Sequence, residues 1–111
     1  MSNAPERISI EELEQKLSSK SKPIVIDVRK TAEIEESGAV PGALHIPIER
    51  VPERVSELPK DKELVFYCGG GGRASRAAQS AWDAGYRAVR FFGLRDWKKR
   101  GLSTSKTAKK F

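Results

Sequence analysis

Cys68 is the chain's one cysteine, and it runs directly into Gly69-Gly70-Gly71-Gly72 and then Arg73. Ahead of it stands Leu64-Val65-Phe66-Tyr67, an unbroken apolar run of the kind used by a strand buried on both faces. Behind it, Ala74, Ala77, Ala78, Ala81 and Trp82 recur at the spacing of one helix face. That predicts a helix over about residues 73–84, with Gly85 just past its end and Trp82 in the core. Parallel α/β sheets collect their ligands beyond the carboxyl ends of strands, where Cys68 falls. Consecutive glycines cost backbone entropy on ordering, but they let successive N–H groups turn inward as a nest for an anion. The start of the next helix adds its positive dipole end at the same point. This field favours a thiolate over a thiol at Cys68. Arg73 closes the segment with a planar, permanently charged fork suited to an oxyanion. The segment reads as a cysteine nucleophile in a backbone anion cradle. The bland alternative is an inert buried cysteine beside a flexible loop.

The elements that must hold this loop alternate strand and helix. Ser9 and Glu12 form a capping box ahead of a helix over about residues 10–20, with Ile8 and Leu13 placed as its hydrophobic staple. Ile24-Val25-Ile26 is a second buried strand, ending in Asp27-Val28-Arg29. A short helical stretch is expected over Thr31–Glu36, a short strand at Leu44-His45-Ile46, and a short helix over Pro52–Leu58. Ala88–Phe92 reads as a further strand and Asp96–Arg100 as a last helical turn. The pattern predicts an α/β domain with a mainly parallel sheet. Residues 8–102 make the domain, 1–7 an N-terminal extension, and 103–111 a basic, flexible tail. Met1-Ser2-Asn3-Ala4 reads as in part a cloning remnant and carries no argument.

Composition narrows the functions available. A chain of 111 residues is one domain, able to bury roughly two thirds of its unfolded surface. One cysteine excludes an intramolecular disulfide, a dithiol pair and a cysteine-rich zinc site. A free thiol suits a reducing, cytoplasmic setting. No apolar run approaches a membrane span, and residues 1–9 lack the apolar stretch of a signal peptide. Residues 1–60 carry 9 Lys/Arg against 11 Asp/Glu, whereas residues 61–111 carry 12 against 4. The positive charge surrounds the glycine loop, so an anion preference belongs there. Interleaved aromatics and a recognition-helix pattern are both absent, which argues against nucleic acid.

Several stretches taken in order give the sequence a family likeness. They are Asp27-Val28-Arg29 after an apolar strand, the run Gly38-Ala39-Val40-Pro41-Gly42-Ala43-Leu44-His45-Ile46-Pro47, and the loop Cys68–Arg73. Gly85-Tyr86, Val89, Phe92-Gly93, Trp97 and Gly101-Leu102 follow. On these the chain resembles a single-domain rhodanese, a thiosulfate or persulfide sulfurtransferase, over about residues 8–102. The resemblance implies a three-layer α/β/α domain with a six-residue active-site loop. It implies that Cys68 is the nucleophile and persulfide carrier, with Gly69, Gly70, Gly71, Gly72 and Arg73 binding the anionic substrate. Neither a metal nor an organic cofactor is implied. The implied partners are a small sulfur anion and a thiophilic acceptor such as cyanide, a thiol or a protein; the basic charge of residues 61–111 separately suits a small sulfur anion or an acidic protein carrier. The chain departs from the family pattern at Ala39 and Leu94, and it has no basic or hydroxyl side chain between Cys68 and Arg73.

Two other functions compete. The side-chain-free loop also fits a non-catalytic rhodanese-like binding or sensing module. Cysteine phosphatases and the arsenate reductases resembling them share a Cys-to-Arg loop, but with five intervening residues; here there are four. Asp27 and Arg29 read as a structural salt bridge in preference to a direct role. His45 reads as a hydrogen-bonded structural residue and not a base for Cys68. Trp97 can pack near the loop mouth or be buried for packing alone. Arg87, Arg90, Arg95, Lys98, Lys99 and Arg100 form a basic cluster, either a solvated face or a docking surface.

Overall fold

In a computed structural model, which describes residues 4–111, the chain builds one six-stranded sheet with helices on both faces. Met1–Asn3, most of the expected remnant, lie outside the described residues. The central strand is β4 (Leu64–Cys68), and all five of its residues are buried. On one side it pairs with β2 (Ile24–Asp27), and on the other with β5 (Val89–Gly93). Beyond β2 lie β3 (Leu44–His45) and β6 (Lys109–Lys110), and beyond β5 lies β1 (Glu6–Arg7). The order is β1-β5-β4-β2-β3-β6, and every strand pair is parallel.

Side chains alternate across the sheet, as a pleat requires. Val25, Val65, Tyr67 and Phe92 face one apolar cluster, which receives α1 (Ile10–Leu17) through Ile10 and Leu13 and α5 (Leu94–Lys99) through Leu94 and Trp97. Ile26, Phe66 and Cys68 face the other cluster, which receives α3 (Val51–Arg54) and the alanine face of α4 (Gly72–Asp83). The small alanines let α4 lie close on the sheet. Register brings Asp27 beside both His45 and Tyr67, and Cys68 beside Gly93, at the carboxyl edge.

Several details differ from the sequence reading. Ser9 caps α1 by accepting from the Glu12 N–H at 3.2 Å, but the Glu12 carboxylate takes Arg90 at 2.6 Å, so the return half of the capping box is replaced by a tertiary ion pair. The helix stops at Leu17, with Ser18 as its cap. The region expected as one helix over Pro52–Leu58 starts earlier, with 3-10 turns at Ile48–Arg50 and Val55–Glu57 on either side of α3. Trp82 is half-buried at the rim, stacked under Arg87 at 4.5 Å, not in the core. Residues 103–111 are not a flexible tail: Ser105 bridges to Ala39, the Lys109 N–H donates to the Ala43 oxygen at 2.9 Å, and Phe111 packs on the core. Residues 6–7 of the N-terminal extension are likewise a strand.

Candidate functional site

Cys68 ends β4 with its side chain 2% exposed, in the face of the sheet covered by α4. Its Sγ accepts from the Gly71 N–H at 3.0 Å and lies 3.4 Å from the donating N–H of Ala74. Gly71 adopts φ +112, in the left-handed region, which aims its N–H back at the sulfur and starts α4. The Gly71 oxygen then accepts from Ser75 at 2.8 Å, closing the first turn. Negative charge on sulfur therefore meets two backbone dipoles and a helix start.

At the other loop positions the backbone does not demand glycine. Gly69, Gly70 and Gly72 do not take positive φ. A Cβ on Gly71 would stand 2.5 Å from Arg7 Nη2, and one on Gly70 would stand 3.2 Å from Arg95 Nη1. Guanidinium groups from outside the loop occupy the places where loop side chains would be. From below, Gly93 supports the loop: a Cβ there would come within 2.7 Å of the Gly70 carbonyl carbon. Hydrogen bonds to the loop carbonyls add to this, with the Arg95 backbone N–H donating to the Gly69 oxygen at 3.1 Å and the Arg7 side-chain Nη2 to the Gly70 oxygen at 3.2 Å.

Arg73 closes the loop, as its position implies, but its fork points at α2 (Thr31–Ser37). Nη1 and Nη2 hold the two carboxylate oxygens of Glu33 at 2.7 and 2.9 Å. The Arg73 hydrogen bonds are the largest cause holding the Glu33 carboxyl down at about 2; burial opposes them, and the Lys30 N–H assists. The same pairing raises Arg73 still further above its ordinary range. Glu33 thus takes the end of the Arg73 fork, and the Arg73 charge also faces Cys68.

Asp27 and Arg29 are a buried salt bridge, at 0% and 2% exposure. Arg29 Nη2 meets Asp27 at 2.7 Å and the Gly38 oxygen at 2.6 Å, while Nη1 donates to Ser37 at 2.9 Å. Burial pulls the Arg29 pKa down, but the Asp27 hydrogen bonds and charge outweigh it and leave the value raised. Desolvation first, then the neighbouring Asp27 charge, drives the Tyr67 hydroxyl far above its usual range, so it stays a neutral phenol that accepts the Val40 N–H at 2.9 Å. His45 donates from Nε2 to the Arg29 oxygen at 2.6 Å, consistent with a structural role.

A cavity of about 270 Å³ opens beside Gly69, with Arg95 and Lys98 on its α5 wall and Glu33 and Glu36 on its α2 wall. The basic cluster of the sequence is therefore divided. Arg90 is committed to Glu12, Arg100 to Glu14 and Arg87 to Trp82; of the other three, Arg95 and Lys98 line the cavity beside the loop, and Lys99 is exposed outside it. A larger cavity of about 570 Å³ lies at the opposite, amino ends of β2 and β3, walled in part by Trp97, and contains none of the loop residues. Trp97 is buried and donates to the Ser103 oxygen at 3.0 Å, so packing accounts for it. Among the described residues no group of three His, Cys, Asp or Glu side chains is placed to hold a metal ion, and no helix is long and apolar enough to cross a membrane.

Sequence reading missed Arg7, Glu33 and Arg95 as neighbours of the loop. For Arg95 and Arg7 the bare Gly70 and Gly71 were the available signal, since their guanidinium groups fill the space those side chains would take; Glu33, which meets Arg73, left none.

Known proteins resemble this chain in sequence and fold. The family model of the rhodanese-like domain matches residues 9–100. A sulfurtransferase of Allochromatium vinosum is 36% identical over 97 residues, covering 86% of this chain and 90% of that protein. The human single-domain sulfurtransferase structure superposes with a TM-score of 0.76 at 29% identity, covering 88% of this chain and 98% of that one. A Rhodopseudomonas palustris protein of unknown function, described as a possible tyrosine phosphatase, superposes with a TM-score of 0.79 at 25% identity, covering 91% and 85%. The fold and the matched span agree: the chain belongs to the rhodanese-like domain family, among sulfurtransferase relatives.

Proposed function

We propose that this domain is a sulfurtransferase that moves a sulfane sulfur through a Cys68 persulfide. The observation that carries the reading is the Cys68 sulfur receiving the Gly71 and Ala74 N–H groups at the head of α4. With thiosulfate as donor, the Cys68 thiolate attacks the outer sulfur, a new S–S bond forms, and the old one breaks with its electron pair leaving on sulfite. The persulfide keeps one negative charge, which the loop N–H groups stabilise. Attack on its outer sulfur by a thiolate, cyanide or protein thiol then transfers that sulfur and returns the Cys68 thiolate. No step needs a cofactor or a second cysteine. The free thiol suits a reducing, cytoplasmic compartment.

The phosphatase alternative is weaker on geometry. Only four residues separate Cys68 from Arg73, where the cysteine phosphatases place five, so the cradle is narrower than theirs. The direct test is intact mass, under non-reducing conditions, after the reduced protein meets thiosulfate or polysulfide. Wild type should gain one sulfur atom and Cys68→Ala none. Gly71→Ala, which misaims one donor, should slow the gain by about tenfold or more. An unchanged wild-type mass would overturn the proposal in favour of a binding module. Sulfur retained by Cys68→Ala, or Cys68-dependent hydrolysis of an aryl phosphate in place of sulfur uptake, would also overturn it.

A further inference from the structure

Four arginines surround the Cys68 loop, and three have their guanidinium groups committed. Arg29 gives its nitrogens to Asp27, Ser37 and Gly38, and Arg73 gives its fork to Glu33. Arg7 bonds the Gly70 oxygen, lies 3.7 Å from Asp96 and stacks over Phe91 at 5.4 Å. Arg95 differs. Its backbone N–H is fixed to the Gly69 oxygen, so its position over the loop is set, yet its guanidinium has no hydrogen bond or ion pair among the described residues. It lies where a Gly70 side chain would reach. Gly70 has no positive φ that would demand glycine, so the absent side chain serves to leave room for the Arg95 fork.

We infer that Arg95 is the anion-recognition residue of the site, holding the oxyanion end of a small sulfur donor such as thiosulfate while its outer sulfur reaches Cys68. The inference rests on the sulfur-transfer reading above. Arg95 supplies from α5 the basic side chain that the loop lacks. Lys98, one turn further along the same helix and on the same cavity wall, adds positive charge behind it. Across the cavity Glu36 repels an anion, and Glu33 is neutralised by Arg73, so the α5 wall is the favoured side. Thiosulfate and the departing sulfite carry the same charge. Arg95 therefore binds ground state and transition state alike, which affects KM more than kcat.

The test compares thiosulfate with an uncharged dialkyl trisulfide as sulfur donors, in steady state with a thiol acceptor. Cys68 attacks the central trisulfide sulfur and expels one alkylthiolate, and the acceptor thiolate then removes the other alkylthio group as a disulfide, leaving the Cys68 persulfide. For Arg95→Gln the preference for thiosulfate over the trisulfide, as a ratio of kcat/KM values, should fall about tenfold, as expected for one charge-assisted contact at an exposed site. The loss should appear in the thiosulfate KM. Arg95→Lys should recover part of it. In R95Q the space over Gly70 is open, so adding Gly70→Lys should recover part of it from the loop side. An unchanged ratio in R95Q, or an equal loss with both donors, would overturn the inference while leaving sulfur transfer intact. Wild type that accepts sulfur from neither donor would overturn the sulfur-transfer reading itself.

Discussion

Glu33 shows how one carboxylate far from the loop in sequence can set the loop's shape. It sits in the first turn of α2, takes the Lys30 N–H at 3.2 Å, and grips Arg73 with both oxygens. Its carboxyl is held at about 2, well below the ordinary value of 4.5, so the pair's contribution is complete above pH 4.5 and is lost as pH falls toward 2. Glu33→Gln should therefore flatten the acid limb of a stability-against-pH profile across that window, as followed by urea denaturation. Both partners are about a third exposed, so solvent screening keeps the loss at neutral pH to about 1 kcal/mol or less. Little of this was legible in the sequence. Cys68 and its glycines announce themselves because chemistry and backbone conformation are local properties. Glu33 and Arg73 are 40 residues apart, and Arg7 and Gly70 are 63 apart, so only the folded sheet makes them neighbours.

The elements divide along the same line. β2, β4 and α4 were readable because each must bury its own apolar surface, and burial leaves a periodic trace. β1 and β6 are Glu6-Arg7 and Lys109-Lys110, exposed pairs with no apolar pattern; hydrogen bonds from β5 and β3 make them strands. Capping is local and showed in Ser9, whereas the other half of that cap gave way to Arg90 from the far side of the sheet. β6 also has an anchor that the sequence made easy to overlook. Phe111 packs against the core and lies under the Arg54 guanidinium at 4.9 Å. Phe111→Ala should cost about 1 kcal/mol in denaturant melts, in keeping with a half-buried ring. Hydrogen exchange gives a second view: the Lys109 amide, bonded to Ala43, should be protected in wild type and exchange much faster in the variant.

At the scale of the molecule, the all-parallel sheet sends the strand ends that matter to one edge, so Asp27, His45, Cys68 and Gly93 meet there in register. Charge follows the same polarity, since the basic second half of the chain contributes the loop, α5 and the cavity wall beside Gly69. The two lateral margins of the sheet have a separate consequence. A parallel sheet of this size presents unpaired N–H and C=O groups at each side, the usual template for strand-to-strand aggregation. Here each margin is only two residues long and wholly charged in sequence. Replacing Lys109 and Lys110 with valine should leave the fold in place and raise light scattering on concentration or mild heating. These brief, charged margins keep neighbouring molecules from zipping together, so the sheet ends at its own borders in a crowded solution.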